Sequence, residues 1–265
     1  MDHAGFQMTD EQYPLPPRVV ALLAAVVVSV GVGMAAGDER VVYENDFNAK
    51  PGTSFPEWSS SPVRYASKHR PPGEGTREVP AVTNVESPKG GRRFLGEFGG
   101  PRIDPTARTA VRQEVRLTLD KLPRHEEVTV SFDLLVLKSW DGSSPRYGPD
   151  RWRLAVVDGP TLLDTTFSNN PKLDADGSYQ DYPRPRSQPR TWAVATNSLG
   201  YDFFGDSVYH FTFTFPHAGD GLVLEFASDL FEGKGTGDES WGLDDVRVSV
   251  NPKASAKPAR KPVRR

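Results

Sequence analysis

The chain has 265 residues, a formal net charge of −3, 25% charged and 10% aromatic residues, and no cysteine. That composition excludes a fully disordered chain, and the missing thiols exclude disulfides, thiolate nucleophiles and zinc–cysteine centres. Charge is unevenly placed: residues 1–36 carry −2, residues 251–265 carry +6, and the stretch between carries −7. Such a central region is a poor partner for nucleic acid, whose phosphates need a basic surface. It is a reasonable host for a hard cation such as calcium.

Residues 19–32 read VVALLAAVVVSVGV, preceded by Arg18 and followed by Gly33, Met34, Ala35, Ala36 and Gly37 before the charges at 38–40. A short apolar run ending in small residues is what an export signal needs, with cleavage after Ala36. Extended to Ala36 the run is about 18 residues, the lower limit for an uncleaved membrane anchor. Residues 1–36 are therefore read as a hydrophobic N-terminal helix serving as signal peptide or anchor. A buried core helix stands beside these two readings, and membrane contact follows only if the segment is uncleaved.

Strand signals follow. Residues 40–47 (RVVYENDF) open the series, then residues 48–91 are irregular and rich in Pro, Gly and Ser, with a short strand around 63–67. Residues 93–98 and 111–119 are the next strands. The clearest is 127–137 (EVTVSFDLLVL), in which Val128, Val130, Phe132, Leu134 and Val136 alternate with Thr129, Ser131 and Asp133. Period-two alternation over that length predicts a half-buried antiparallel strand. Residues 152–157 and 161–167 flank Asp158-Gly159, a hairpin signal. Residues 168–206 form a second irregular stretch with four prolines; after it come strands at 208–215, from 222 onward, and at 240–250. Eight or nine strands, many turn residues and no amphipathic helix predict an all-β antiparallel β-sandwich of jelly-roll type over residues 37–250. The Lys/Arg/Pro/Ala tail, 251–265, is predicted to be disordered and basic.

The two ends of this module resemble galactose-binding-like jelly-roll modules, a fold shared by many carbohydrate-binding modules of exported bacterial proteins. The resemblance rests on Tyr43-Glu44-Asn45-Asp46-Phe47 with Trp58 at the opening and Trp241-Gly242-Leu243-Asp244-Asp245-Val246-Arg247-Val248 at the close. It implies that the first and last strands lie together and that a structural Ca2+ bridges them, using Glu44 or Asp46 with Asp244 or Asp245 and completed by backbone carbonyls. Alternation along 240–250 places Asp244 on the face of Val246, Val248 and Val250. A carboxylate pointing into a sandwich needs a metal or an arginine as partner.

Catalytic motifs fare poorly. Gly205-Asp206-Ser207 spells the nucleophile block of some esterases, but the last histidine is His217 and no Asp-x-x-His follows, so a base held by an acid is missing. Asp174-Ala175-Asp176-Gly177 resembles part of a calcium loop, yet the EF-hand frame would begin at Lys172 and close at Pro183, which supply no carboxylate. No histidine pair has zinc-site spacing. Aromatic residues in loops carry the ligand reading: Trp140, Asp141 and Tyr147 in one loop, and Tyr179, Tyr182, Trp192 and Tyr201 in the second irregular stretch. Rings stack on the apolar faces of sugars, and neighbouring carboxylates take their hydroxyls; the same rings also suit ordinary core at the sandwich ends. The expectation is an exported, non-catalytic module binding polysaccharide or cell-surface glycan, with a structural envelope or adhesion protein as the alternative and a hydrolase behind both.

Overall fold

A computed structural model of the protein describes residues 39–67, 75–76, 79–100, 109–171, 177–231 and 234–252. The expected export segment with its helix, residues 172–176 of the Asp174 loop, and the tail beyond residue 252 lie outside the described residues. Among the described residues fourteen strands appear in chain order: β1 (Arg40–Asn45), β2 (Trp58–Ser60), β3 (Arg64–Ser67), β4 (Gly75–Thr76), β5 (Asn84–Glu86), β6 (Arg93–Phe98), β7 (Thr109–Leu119), β8 (His125–Lys138), β9 (Arg151–Val156), β10 (Thr161–Thr166), β11 (Ala195–Thr196), β12 (Asp206–Pro216), β13 (Leu222–Leu230) and β14 (Glu239–Pro252). One sheet runs β11-β12-β8-β14-β6-β5 with β1 also on β14; the other runs β10-β9-β13-β7-β3-β4 with β2 also on β7. Every paired strand is antiparallel. Late in the chain β12, β13 and β14 fall alternately in the two sheets, and the whole is a β-sandwich of jelly-roll type.

Strand β8 shows why this sequence closes into two layers. Val128, Val130, Phe132, Leu134 and Val136 all point inward and are fully buried, where they join Trp152 and Phe226 from the facing sheet and Trp241 from the neighbouring strand β14 in one core. Phe132 lies 5.8 Å from Trp152 and 5.4 Å from Phe226 between ring centroids. Removing a buried ring of this kind costs about 3–5 kcal/mol through lost transfer energy and the cavity left behind. The hairpin at Asp158-Gly159 forms as expected: β9 pairs with β10, and Asp158 adopts φ 59°, a left-handed turn that Asp tolerates.

The two ends of the domain meet: β1 pairs with β14, Arg40 opposite Val250 and Asn45 opposite Val246. The side-chain parity of β14, however, is not continuous. Asp244 stands opposite Asp133 and Arg247 opposite Ser131, with a bulge between, and Asp245 takes φ 49°. The extra residue flips the alternation. Asp244 therefore faces outward with Asp133, while Val246, Val248 and Val250 face the core. This corrects the expectation that Asp244 shares their face.

The outer faces differ. On the second sheet β7 and β13 carry a charge ladder: Arg112 bonds Glu114 and Asp229, each at 2.8 Å, Arg116 bonds Glu225 at 2.8 Å, and Arg64 adds a second pairing to Glu114. Burial alone would raise the Glu114 carboxyl; hydrogen bonds and charge from Arg112 and Arg64 outweigh it and hold the group below the usual range. On the first sheet, one end of the outer face is covered. There Phe94, Leu135, Leu137, Leu199 and Val208 form a separate apolar cluster under the segment that leads into β12.

Candidate ligand-binding face

That segment is built around one buried amide. The Gln180 side chain is fully buried; its Oε1 accepts from Arg190 N at 2.9 Å and the Tyr209 hydroxyl at 3.1 Å. Its Nε2 donates to the carbonyls of Tyr182 at 2.5 Å and Thr191 at 3.1 Å. Buried polar groups must be satisfied, and this single side chain satisfies backbone at both ends of the 182–191 loop. The Arg190 guanidinium then donates to the Phe204 carbonyl, tying the turn of Trp192 to the turn of Phe203 and Phe204.

The loop presents apolar surface outward. Trp192 is 70% exposed and Phe203 68% exposed, with Val194 and Phe204 also exposed. Trp192 stands edge-on to Tyr182 at 6.0 Å, and Tyr182 is itself braced by Phe167, Tyr209 and Phe211 at 5.2 to 5.8 Å. Arg190, Trp192, Asn197, Phe203 and Phe204 all have φ between 51° and 70°. Positive φ is costly for bulky side chains and persists only where the surroundings impose it. A rigid support carrying exposed rings is a stacking platform, and apolar patches of this kind mark interaction sites.

The residues expected to bind ligand separate into three groups. Trp192 is on the platform, and Tyr182, half-buried, supports it. Tyr179 is half-buried beneath the Arg186 guanidinium, 4.7 Å from ring centroid to Cζ. Tyr147 is likewise half-buried under Arg146, and Tyr201 bonds Glu97 at 2.7 Å with the Lys138 ammonium over its ring. Burial, its bond to Glu97 and the Glu97 charge raise the Tyr201 phenol, so it stays a neutral donor. Trp140 and Asp141 are corrections: Trp140 is 0% exposed and donates from Nε1 to the Ser240 carbonyl at 2.8 Å, and Asp141 is buried beside it. Trp140 belongs to the main core and offers no exposed face to a sugar, and Asp141 is buried with it. Phe203, Phe204 and Arg190 were not anticipated; the aromatic pair in Gly200-Tyr201-Asp202-Phe203-Phe204-Gly205 was the available signal.

Of the four carboxylates named for calcium, Asp244 stands apart from the other three. Arg92 donates to Asp244 at 2.7 Å and to Asp133 at 2.6 Å, so an arginine holds the position. Burial pushes the Asp244 carboxyl up to about 6, and the bond and charge of Arg92 pull it back only in part. Asp46 accepts from Asn48, Glu44 lies 4.0 Å from Arg247, and these two with Asn45 and exposed Asp245 line one open depression that excludes Asp244. Hydrogen bonds from Asn48 hold the Asp46 carboxyl below its usual range. Among the described residues, the group of three carboxylates whose oxygens lie within 4.8 Å of one another is Asp141, Asp150 and Glu239, all buried. Asp150 Oδ2 accepts from Asp141 N at 2.5 Å, and Asp141 Oδ1 from Asn170 Nδ2 at 2.8 Å. All-oxygen donors of this type suit calcium.

Two further motifs are accounted for. Ser207 is buried and its hydroxyl donates to Asn169 Oδ1 at 2.5 Å, while Asp206 accepts from Ser198 and Leu199. His125 and His217, distant in sequence, sit Nε2 to Nδ1 at 2.7 Å because β8 and β12 pair with Glu127 opposite Pro216. Burial, then the neighbouring His125, lowers the His217 imidazole pKa.

The fold and face together define a β-sandwich with exposed aromatic rings flanking the edge strand β11. No protein-family model matches the sequence, and no curated protein does. Among solved structures the chain is similar to three carbohydrate-binding modules. TmCBM27, described by its recognition of mannan, is 12% identical with a TM-score of 0.40, covering 80% of this chain and 98% of that one. The C-terminal CBM6 of LamC, a marine laminarinase of Zobellia galactanivorans, is 7% identical with a TM-score of 0.29, covering 71% and 98%. A CBM28 module specific for non-crystalline cellulose is 17% identical with a TM-score of 0.31, covering 63% and 79%.

Proposed function

We propose that this protein is an exported, non-catalytic glycan-binding module whose sugar contacts are the rings of Trp192, Phe203 and Phe204. The observation that carries the reading is the exposure of Trp192 and Phe203 on two turns that Arg190 joins and buried Gln180 anchors. A pyranose face covering the indole removes about 80 Å² of apolar surface from water, which is worth about 2 kcal/mol, or roughly 30-fold in affinity. Export is supported by the apolar run of residues 19–32. A structural calcium belongs to the same proposal, but at Asp141, Asp150 and Glu239 rather than at the strand ends, on the strength of their burial and spacing.

The test is affinity electrophoresis of the full chain through gels containing a panel of plant, algal and bacterial polysaccharides. Retardation by at least one polysaccharide, weakened roughly 30-fold by Trp192→Ala, is expected. Free migration in every gel contradicts the reading. Retardation unchanged by Trp192→Ala together with Phe203→Ala places any sugar site elsewhere and contradicts it equally.

A further inference from the structure

Resting on the glycan reading above, we infer that the glycan is anionic, its carboxylate or sulfate groups taken by Arg184 and Arg186. The loop from Tyr182 to Trp192 reads Y-P-R-P-R-S-Q-P-R-T-W, which places three arginines within eleven residues of the platform's own segment. Arginines elsewhere on the domain are mostly spent: Arg64, Arg92, Arg112, Arg116, Arg151 and Arg247 are each ion-paired to carboxylates. Arg184 and Arg186 are exposed, and among the described residues no carboxylate pairs with either guanidinium. The nearest acid on the loop, Asp181, accepts instead from the Ser143 hydroxyl at 2.8 Å and the Arg186 backbone N–H at 3.4 Å.

Arg186 is also held in position. Its guanidinium lies over the Tyr179 ring, 4.7 Å from the centroid, a cation–π contact, while the residue as a whole stays exposed. A planar guanidinium matches carboxylate and sulfate oxygens in a bidentate fashion, as a lysine does not. Pro183, Pro185 and Pro189 frame the two arginines and restrict the loop before binding, which lowers the entropy lost on capture. Gln180 bonds the carbonyls of Tyr182 and Thr191, at either end of the same loop. The charged contacts and the stacking face thus share one rigid mount. The domain around them is acidic overall, so these two arginines stand out against their surroundings.

Binding of the full chain to polygalacturonate (carboxylate), ι-carrageenan (sulfate) and a neutral galactomannan, measured by titration at low and physiological salt, tests the inference. At least one anionic polymer is expected to bind tenfold or more tighter than the galactomannan, with affinity falling as salt rises. Arg184→Gln/Arg186→Gln should remove that preference while leaving the melting temperature unchanged, and the better anionic polymer identifies which group is read. Equal or tighter binding of galactomannan overturns the inference and leaves the glycan reading intact, as does an anionic preference that survives the double substitution. Binding to none of the three, with free migration in every polysaccharide gel, overturns both.

Discussion

The Gln180→Leu substitution asks whether the platform depends on a single buried amide. Leucine keeps most of the volume but none of the four short hydrogen bonds that the amide makes to Arg190 N, Tyr209 Oη, Tyr182 O and Thr191 O. Each buried group left without a partner costs about 1–3 kcal/mol. Tyr182 and Thr191 are half-buried and can recruit water, so their share lies at the low end. Summing on that basis gives a loss of about 3 kcal/mol, to be read as a shift in the urea midpoint with an unchanged slope. Glycan affinity should fall as well, although residue 180 touches no ligand, because Trp192 and Phe203 lose their mount. A midpoint within about 0.5 kcal/mol of the parent, the ordinary range for a neutral surface change, refutes the reasoning.

Asp244 gives a pH signature. Its carboxyl, raised to about 6 against 3.8 in a model compound, binds its proton more tightly folded than unfolded. The resulting stability is fully present below about pH 4 and is lost as pH rises through 6, an effect of about 3 kcal/mol. Asparagine cannot ionise, so the stability of the parent relative to Asp244→Asn should fall by about that amount between pH 4 and 7; a difference that stays flat, or rises, contradicts the assignment. For the cation, calcium should raise the melting temperature of the full chain above its value in chelator, and Asp150→Asn should abolish the gap. Identical melting in calcium and chelator removes the ion from the account.

The layers of the sandwich were legible because burial on one face imprints a period of two. In β8 the inward set was readable residue by residue. The same strand also carried a second message in Leu135 and Leu137, which break the alternation because a cluster with Leu199 and Val208 covers the outer face there. The parity of β14 was not legible: nothing about Asp245 announces a positive φ, and a one-residue bulge reverses every side chain before it. Asp244 was expected to point into the sandwich and so to need a partner; it faces outward, and the fold brings it Arg92, 152 residues away.

The candidate site divides in the same way. Trp192 stood out as a loop tryptophan, yet Trp140, in a loop of similar composition, is wholly buried. Composition does not distinguish a ring that caps a core from one that stands on it; the difference arises from where the two loops pack. Asp141 and Asp150 share the loop between β8 and β9, but Glu239 lies far along the chain from them, as His217 does from His125. Their meeting depends on strand register and loop packing, which the alternation pattern alone does not set.

The most direct test of the central claim is an NMR titration of the five tryptophan indole N–H signals with a bound polysaccharide fragment. Trp140, Trp152 and Trp241 are fully buried and Trp58 nearly so, whereas Trp192 is exposed. The account expects the Trp192 indole to shift with saturation while the other four stay in place. A fragment that binds without moving the Trp192 signal, or that moves residues on the outer faces of the sheets instead, contradicts it.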